Sequence, residues 1–216
     1  MKNLNRYIEH TLLKQDATKK ELANLFKEAI KYKFLGICVN PVNVKLAKAN
    51  LKNSGVKIVA VVGFPLGASK SEAKAYETKL AIKDGADEID MVLNVSAMKN
   101  KDYKTVQEDV ATVKKACGKK KLKVILETDL LTKEEIKKAC EICIKAKADF
   151  VKTSTGFVKN GVGAKVEDVE LMYKTISPFG LEVKASAGIR DKEAAIKMIK
   201  AGATRLGTSA GVEIVK

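Results

Sequence analysis

A chain of 216 residues is long enough for one well-packed core and short for two full domains, and its 46% hydrophobic and 31% charged residues exclude a disordered polypeptide. The longest apolar run, Ile58 to Val62, falls far below the roughly 20 residues that span a bilayer. The net charge of +15 raises nucleic acid as a partner, but the lysines are spread over nearly every predicted helix and there is no Trp to stack on bases, so the charge reads as a solvated face that also draws in an anionic small substrate.

Short β-branched runs predict strands at Ile8–Leu12, Gly36–Val39, Lys57–Val62, Glu88–Leu93, Leu122–Glu127, Phe150–Thr153, Glu182–Ala185 and Arg205–Thr208. Amphipathic, lysine-rich stretches between them predict helices near Lys19–Lys31, Val42–Leu51, Lys70–Lys83, Tyr103–Ala116, Lys133–Lys145, Val166–Thr175 and Lys192–Ile199, with a short one after Thr208. Thr18, Ser69, Asp102, Thr132 and Asp191 are the expected N-caps. The junctions Asp84–Asp87, Lys145–Asp149 and Lys200–Thr204 each end a helix and enter a strand, with Gly85 and Gly202 suited to a left-handed cap. Eight strand–helix units with no Pro/Gly/Ser-rich linker predict one α/β domain over residues 1–216, a single (β/α)8 TIM barrel. A doubly wound open sheet is the alternative.

Met1 to Arg6 lack the apolar centre of a signal peptide, so a cytoplasmic protein is expected. Of Cys38, Cys117, Cys140 and Cys143, only the last two form a C-x-x-C, and no second pair completes a metal site. They share one face of a predicted helix and read as packing residues. His10 reads as a packed strand residue, the Gly63–Gly67 loop as punctuation, and Gly161-Val162-Gly163 lacks the context of a dinucleotide site.

A parallel barrel carries its site at the C-terminal ends of its strands. In Phe150-Val151-Lys152-Thr153-Ser154-Thr155-Gly156, alternation puts Lys152 inside, where desolvation favours the free amine, a carbonyl nucleophile; an ion-pair role is the alternative. Lys184 occupies the same place in the next unit, Glu182-Val183-Lys184-Ala185-Ser186-Ala187-Gly188-Ile189-Arg190, whose small-residue turn can hold a phosphate. Asp90 interrupts the apolar strand Glu88–Leu93 and calls for a buried cation beside it, as a proton relay or as a plain salt bridge. Gly207 and Ser209 follow the last strand, where barrels of this kind bind phosphate, although a simple helix cap also explains Ser209.

Together these segments resemble the deoxyribose-phosphate aldolases of the DeoC type. The resemblance runs from about Ile8 to Val215. It is carried by His10-Thr11-Leu12-Leu13-Lys14, Gly36–Pro41, Val62–Gly67, Asp87–Val92, Val151–Phe157 and Val183–Ser186. It implies a metal-independent class I aldolase that splits 2-deoxy-D-ribose 5-phosphate into acetaldehyde and D-glyceraldehyde 3-phosphate, with no cofactor and as a homo-oligomer, dimer or tetramer. By position, Lys152 would form the Schiff base, Lys184 would favour its free amine and help shuttle protons, and Asp90 would relay protons through a water. Thr155, Gly156, Gly188, Arg190, Gly207 and Ser209 would contact the substrate and its phosphate. The chain departs from the family pattern at Glu9, where aspartate is usual, at Ala187 in place of glycine, and at Ala210 in place of serine. The catalytic positions are intact. The departures keep open a different phosphorylated hydroxy-aldehyde as substrate.

Overall fold

The computed structural model describes residues 3–216. Strands β1 (Ile8–Leu12), β2 (Gly36–Val39), β3 (Lys57–Val62), β4 (Glu88–Val92), β5 (Lys121–Ile125), β6 (Phe150–Lys152), β7 (Glu182–Ser186) and β8 (Ala203–Thr208) pair in parallel in chain order and close into one barrel through β8 and β1. The open sheet is thereby excluded. Around it lie α1 (Lys19–Lys31), α2 (Val44–Asn50), α3 (Ser71–Asp84), α4 (Val95–Lys99), α5 (Tyr103–Cys117), α6 (Lys133–Lys145), α7 (Val166–Ile176), α8 (Lys192–Lys200) and α9 (Gly211–Val215). No described helix is long and apolar enough to cross a membrane.

Local chemistry sets most boundaries. Thr18 with Glu21, and Thr132 with Glu135, form complete capping boxes on α1 and α6, while Asp102 and Asp191 each accept one N–H of the next helix. Ser69 is no cap: α3 begins at Ser71, with Lys70 in the N-cap position. Its first turn is fixed from inside, where fully buried Lys74 donates to Asp109 at 2.6 Å and to the Val92 carbonyl at 3.0 Å. That tertiary contact outweighs a cap worth about 1 kcal/mol. Gly85 and Gly202 take positive φ at helix ends, and Lys147 takes the same left-handed position, φ 60°, at the junction without a glycine. Pro41 opens a single 3-10 turn ahead of α2, which shortens that helix from its predicted start. The one-turn helix α4 was not expected; Asn94 caps it by accepting from Ala97 N–H at 3.0 Å.

Strand alternation divides the interior. Outward residues such as Ile37, Ile58, Ile89, Met91, Val124, Val151 and Leu206 join the inner helix faces in one continuous apolar layer, each contributing about 1.5–3 kcal/mol on burial. The lumen is split. Leu13, Cys38, Val59 and Val61, with Phe64 against them, fill the side formed by the early strands. Charged residues fill the rest. Cys117, Cys140 and Cys143 are buried outside the lumen, and His10 donates to or accepts from Glu28 through Nε2 at 2.8 Å with its ring 5.1 Å from Phe34.

Candidate active site

The strand register assembles the charged side of the lumen. Asp90 on β4 pairs in register with Lys123 on β5, Lys152 on β6 with Lys184 on β7, and Lys184 with Arg205 on β8. Cα partners in parallel strands point the same way, so all five side chains converge. Glu9 from β1 and Glu88, two residues before Asp90, complete the group.

Asp90 is its centre. Lys152 and Lys184 both donate to its Oδ2, at 2.9 and 2.7 Å, and Lys123 donates to its Oδ1 at 3.0 Å. Lys184 also donates to Glu9. Lys123 lies 2.7 Å from Glu88 and 3.4 Å from Glu9, and Arg205 reaches Glu9 at 3.2 Å and Glu88 at 3.5 Å. Three carboxylates thus face four cations, one positive charge in excess. Lys57 reaches Glu88 from the rim.

For Asp90, Lys184, Lys123 and Glu88, burial works against the charge and the partners outweigh it. Burial would raise the Asp90 carboxyl, yet Lys123, Lys152 and Lys184 hold it well below the usual carboxylate range. Burial would release the Lys184 proton, yet Asp90 and Glu9 hold its ammonium above the usual lysine range. Lys123 is held the same way by Asp90 and Glu9, and Glu88 is pulled down to about 2, burial being overcome by Lys123, Lys57 and Arg205. Lys184 is therefore a firmly cationic neighbour of Lys152.

The lysines differ in what they can reach. Lys184 and Asp90 are sealed, with no exposed surface, whereas Lys152 lies in the wall of a cavity of about 330 Å3 at the C-terminal mouth of the barrel. Thr155, Gly156, Gly188, Arg190, Gly207 and Ser209 line the same cavity. The structure thus brings these six residues to the cavity with Lys152, while Lys184 and Asp90 lie sealed against Lys152 beneath it. A β-carbon on Gly207 would be a tight fit, 3.0 Å from Lys184 Cε and from Ser186 Cβ. Ala187 holds φ 65°, a left-handed conformation that its methyl disfavours. The Thr155 hydroxyl is already engaged, donating to Glu127 and accepting from Phe157 N–H at 3.0 Å.

Lys123, Glu88, Arg205 and Glu127 were not singled out from the sequence. A charge inside an apolar strand marks Lys123, between Leu122 and Val124, as plainly as it marks Asp90. Glu9 belongs to the buried charge network rather than to the cavity wall.

A family model described as DeoC/LacD family aldolase matches residues 6–216. The chain is 55% identical over 216 residues to deoxyribose-phosphate aldolase 1 of Bacillus licheniformis, covering 100% of this chain and 96% of that protein. It is 54% identical over 213 residues to deoxyribose-phosphate aldolase of Finegoldia magna, covering 99% of each. Among solved structures, a putative deoxyribose-phosphate aldolase from Coccidioides immitis superimposes with a TM-score of 0.95 at 42% identity, over 98% of this chain and 84% of that one. The deoxyribose phosphate aldolase from Aeropyrum pernix, described as a unique tetrameric structure, gives 0.90 at 34% identity, over 98% and 89%. Matched along nearly its whole length in sequence and in fold, the chain belongs to the DeoC/LacD aldolase family.

Proposed function

We propose that this aldolase cleaves 2-deoxy-D-ribose 5-phosphate reversibly to acetaldehyde and D-glyceraldehyde 3-phosphate, with Lys152 as the Schiff-base nucleophile. One observation carries the assignment of the nucleophile: of the lysines around Asp90, Lys152 alone lines the cavity, and it has a single carboxylate partner where Lys184 has two and Lys123 three. Attack requires a nitrogen lone pair, and the charge network holds Lys184 and Lys123 as ammonium ions.

In this reading the Lys152 amine adds to the aldehyde carbon of the open-chain sugar, and the carbinolamine loses water to give an iminium ion. The C3 hydroxyl gives up its proton, the bond between carbons two and three breaks, and its electrons pass to the iminium as an enamine while glyceraldehyde 3-phosphate departs. Protonation of the enamine carbon and hydrolysis release acetaldehyde and restore the amine. Asp90, touching both Lys152 and Lys184, moves the protons, directly or through a water, and Lys184 supplies a fixed positive charge beside the reacting nitrogen. Gly156, Gly188, Arg190, Gly207 and Ser209 receive the phosphate at the mouth.

The same reading makes the chain a single catalytic domain working in the cytoplasm, where its four unpaired thiols stay reduced. It also makes it a dimer or tetramer, as the tetrameric Aeropyrum pernix relative suggests. Cleavage of 2-deoxyribose 5-phosphate, followed through the glyceraldehyde 3-phosphate released, tests the activity. The Lys152→Ala variant should show none; full activity in that variant overturns the assignment.

A further inference from the structure

Strand β5 ends differently from its neighbours. Leu126 N–H donates to the Lys152 carbonyl at 2.8 Å and Thr128 N–H donates to the Thr153 carbonyl at 2.9 Å, so the β5 side advances two residues while the β6 side advances one. The extra residue is Glu127, a bulge at φ 62° in the left-handed region that disfavours any side chain. A bulge re-aims a side chain, and this one sends the Glu127 carboxylate sideways under the loop that follows β6. There Oε1 accepts from Thr155 N–H at 3.0 Å and Oε2 accepts from the Thr155 hydroxyl, which in turn accepts from Phe157 N–H at 3.0 Å.

Glu127 is only 4% exposed, and among the described residues no cation lies within ion-pair distance of it. Burial, only partly offset by the Thr155 hydrogen bonds, pushes its carboxyl up. A strained backbone and an unpaired buried carboxylate are two separate costs at one residue, and such costs persist where the surroundings enforce a working geometry. What they enforce is the turn Thr155-Gly156-Phe157. Gly156, at φ 83°, faces the Ala187–Gly188 turn across the cavity: a β-carbon on it would lie 3.5 Å from the Ala187 methyl.

We propose that Glu127 is a positioning residue for the phosphorylated end of the substrate, clamping the Thr155–Phe157 turn so that Gly156 closes one side of the phosphate cradle. The inference rests on the aldolase reading of the site and adds a residue that acts through Thr155, without touching the reacting atoms. A carboxylate is needed because both of its oxygens accept; the amide nitrogen of a glutamine cannot accept from Thr155.

The test uses Glu127→Gln, Thr155→Val and the double variant, each assayed on 2-deoxyribose 5-phosphate and on unphosphorylated 2-deoxyribose, with borohydride trapping of acetaldehyde in parallel. The expected result is a KM for the phosphorylated sugar raised about tenfold in each single variant, as loss of a charge-assisted hydrogen bond implies. In Glu127→Gln, turnover of the unphosphorylated sugar and the trapped adduct should stay within about twofold, and on the phosphorylated sugar the double variant should be little worse than Thr155→Val alone. Thr155→Ser, which keeps the hydroxyl, should recover most of the loss in Thr155→Val. Equal losses on both sugars in Glu127→Gln, an unchanged KM, or fully additive effects would each overturn the proposal. If Glu127→Gln fails to fold, the comparison of Thr155→Val with Thr155→Ser decides alone. Absence of trapping in the unmodified enzyme would instead remove the aldolase reading itself.

Discussion

Lys152 and Lys184 donate to the same oxygen of Asp90, at 2.9 and 2.7 Å. Sharing one acceptor places two amines side by side, and the second carboxylate, Glu9, belongs to Lys184. The result is an asymmetric pair: one lysine bound on both sides and sealed, the other bound on one side and open to the cavity. Asp90→Asn keeps the shape and removes the charge. It should lower kcat by about 10²- to 10⁴-fold, the range for losing a general acid–base group, with KM changed far less. Steady-state kinetics on the phosphorylated sugar check this, and an unchanged kcat would remove Asp90 from the proton path.

Lys123 is the counter-ion that touches Glu9, Glu88 and Asp90 together. Its replacement by methionine, similar in length but neutral, takes one cation contact from each of those carboxylates. Breaking a buried ion pair from one side costs about 3–5 kcal/mol, so urea unfolding of Lys123→Met should show a loss of that size. A loss below about 1 kcal/mol, the value of an exposed pair, would show that Lys123 is not a structural counter-ion.

Acid should loosen the barrel from the same place. Glu88 titrates at about 2 in the folded protein against an ordinary value of 4.5, and Asp90 is also held low. A depressed folded-state pKa contributes stability that is present above the unfolded value and lost as pH falls through the folded one. The urea midpoint should therefore fall as pH drops from about 4.5 toward 2. A midpoint that is flat across that window would contradict the network's ionisation as described.

Ala187, in the cavity wall, and Ala210, next to the cavity-lining Ser209, invite replacement by the residues that the family resemblance implies. Ala187 sits at φ 65°. Glycine removes a left-handed strain of about 1–2 kcal/mol at the expense of about 0.4–1 kcal/mol of unfolded-chain entropy, so Ala187→Gly should stabilise the protein by about 1 kcal/mol or less. Ala210 stands just before α9 and offers no side-chain cap. A hydroxyl there adds a donor to a charged ligand, so Ala210→Ser should lower KM for the phosphorylated substrate by about tenfold. A KM that does not move in Ala210→Ser would favour a substrate other than deoxyribose phosphate, and a panel of phosphorylated and free hydroxy-aldehydes would identify it.

How far the sequence reveals this site depends on the physics of each residue. Lys152, Lys184 and Asp90 stand out because each charge interrupts an apolar strand, and period-two alternation then says which way it points. The barrel follows from eight alternating units, with capping signals at Thr18, Asp102, Thr132 and Asp191 marking where helices begin. Ser69 misleads because its helix start is set by the buried Lys74–Asp109 pair, a contact between residues 35 apart in the chain. Glu127 reads as the last residue of a strand, since nothing local announces a left-handed bulge at a glutamate. Glu88 opens β4 and Arg205 opens the strand predicted from the sequence, where charge is ordinary, and only barrel closure brings Arg205 to Glu9 across 196 positions of sequence.

The most direct test of the account is reductive trapping. Acetaldehyde and borohydride should leave a stable ethyl group on one lysine, and peptide mass mapping should place it on Lys152, with no adduct in Lys152→Ala. An adduct on Lys184 or Lys123, or no adduct while the enzyme cleaves its substrate, would contradict the assignment of the nucleophile.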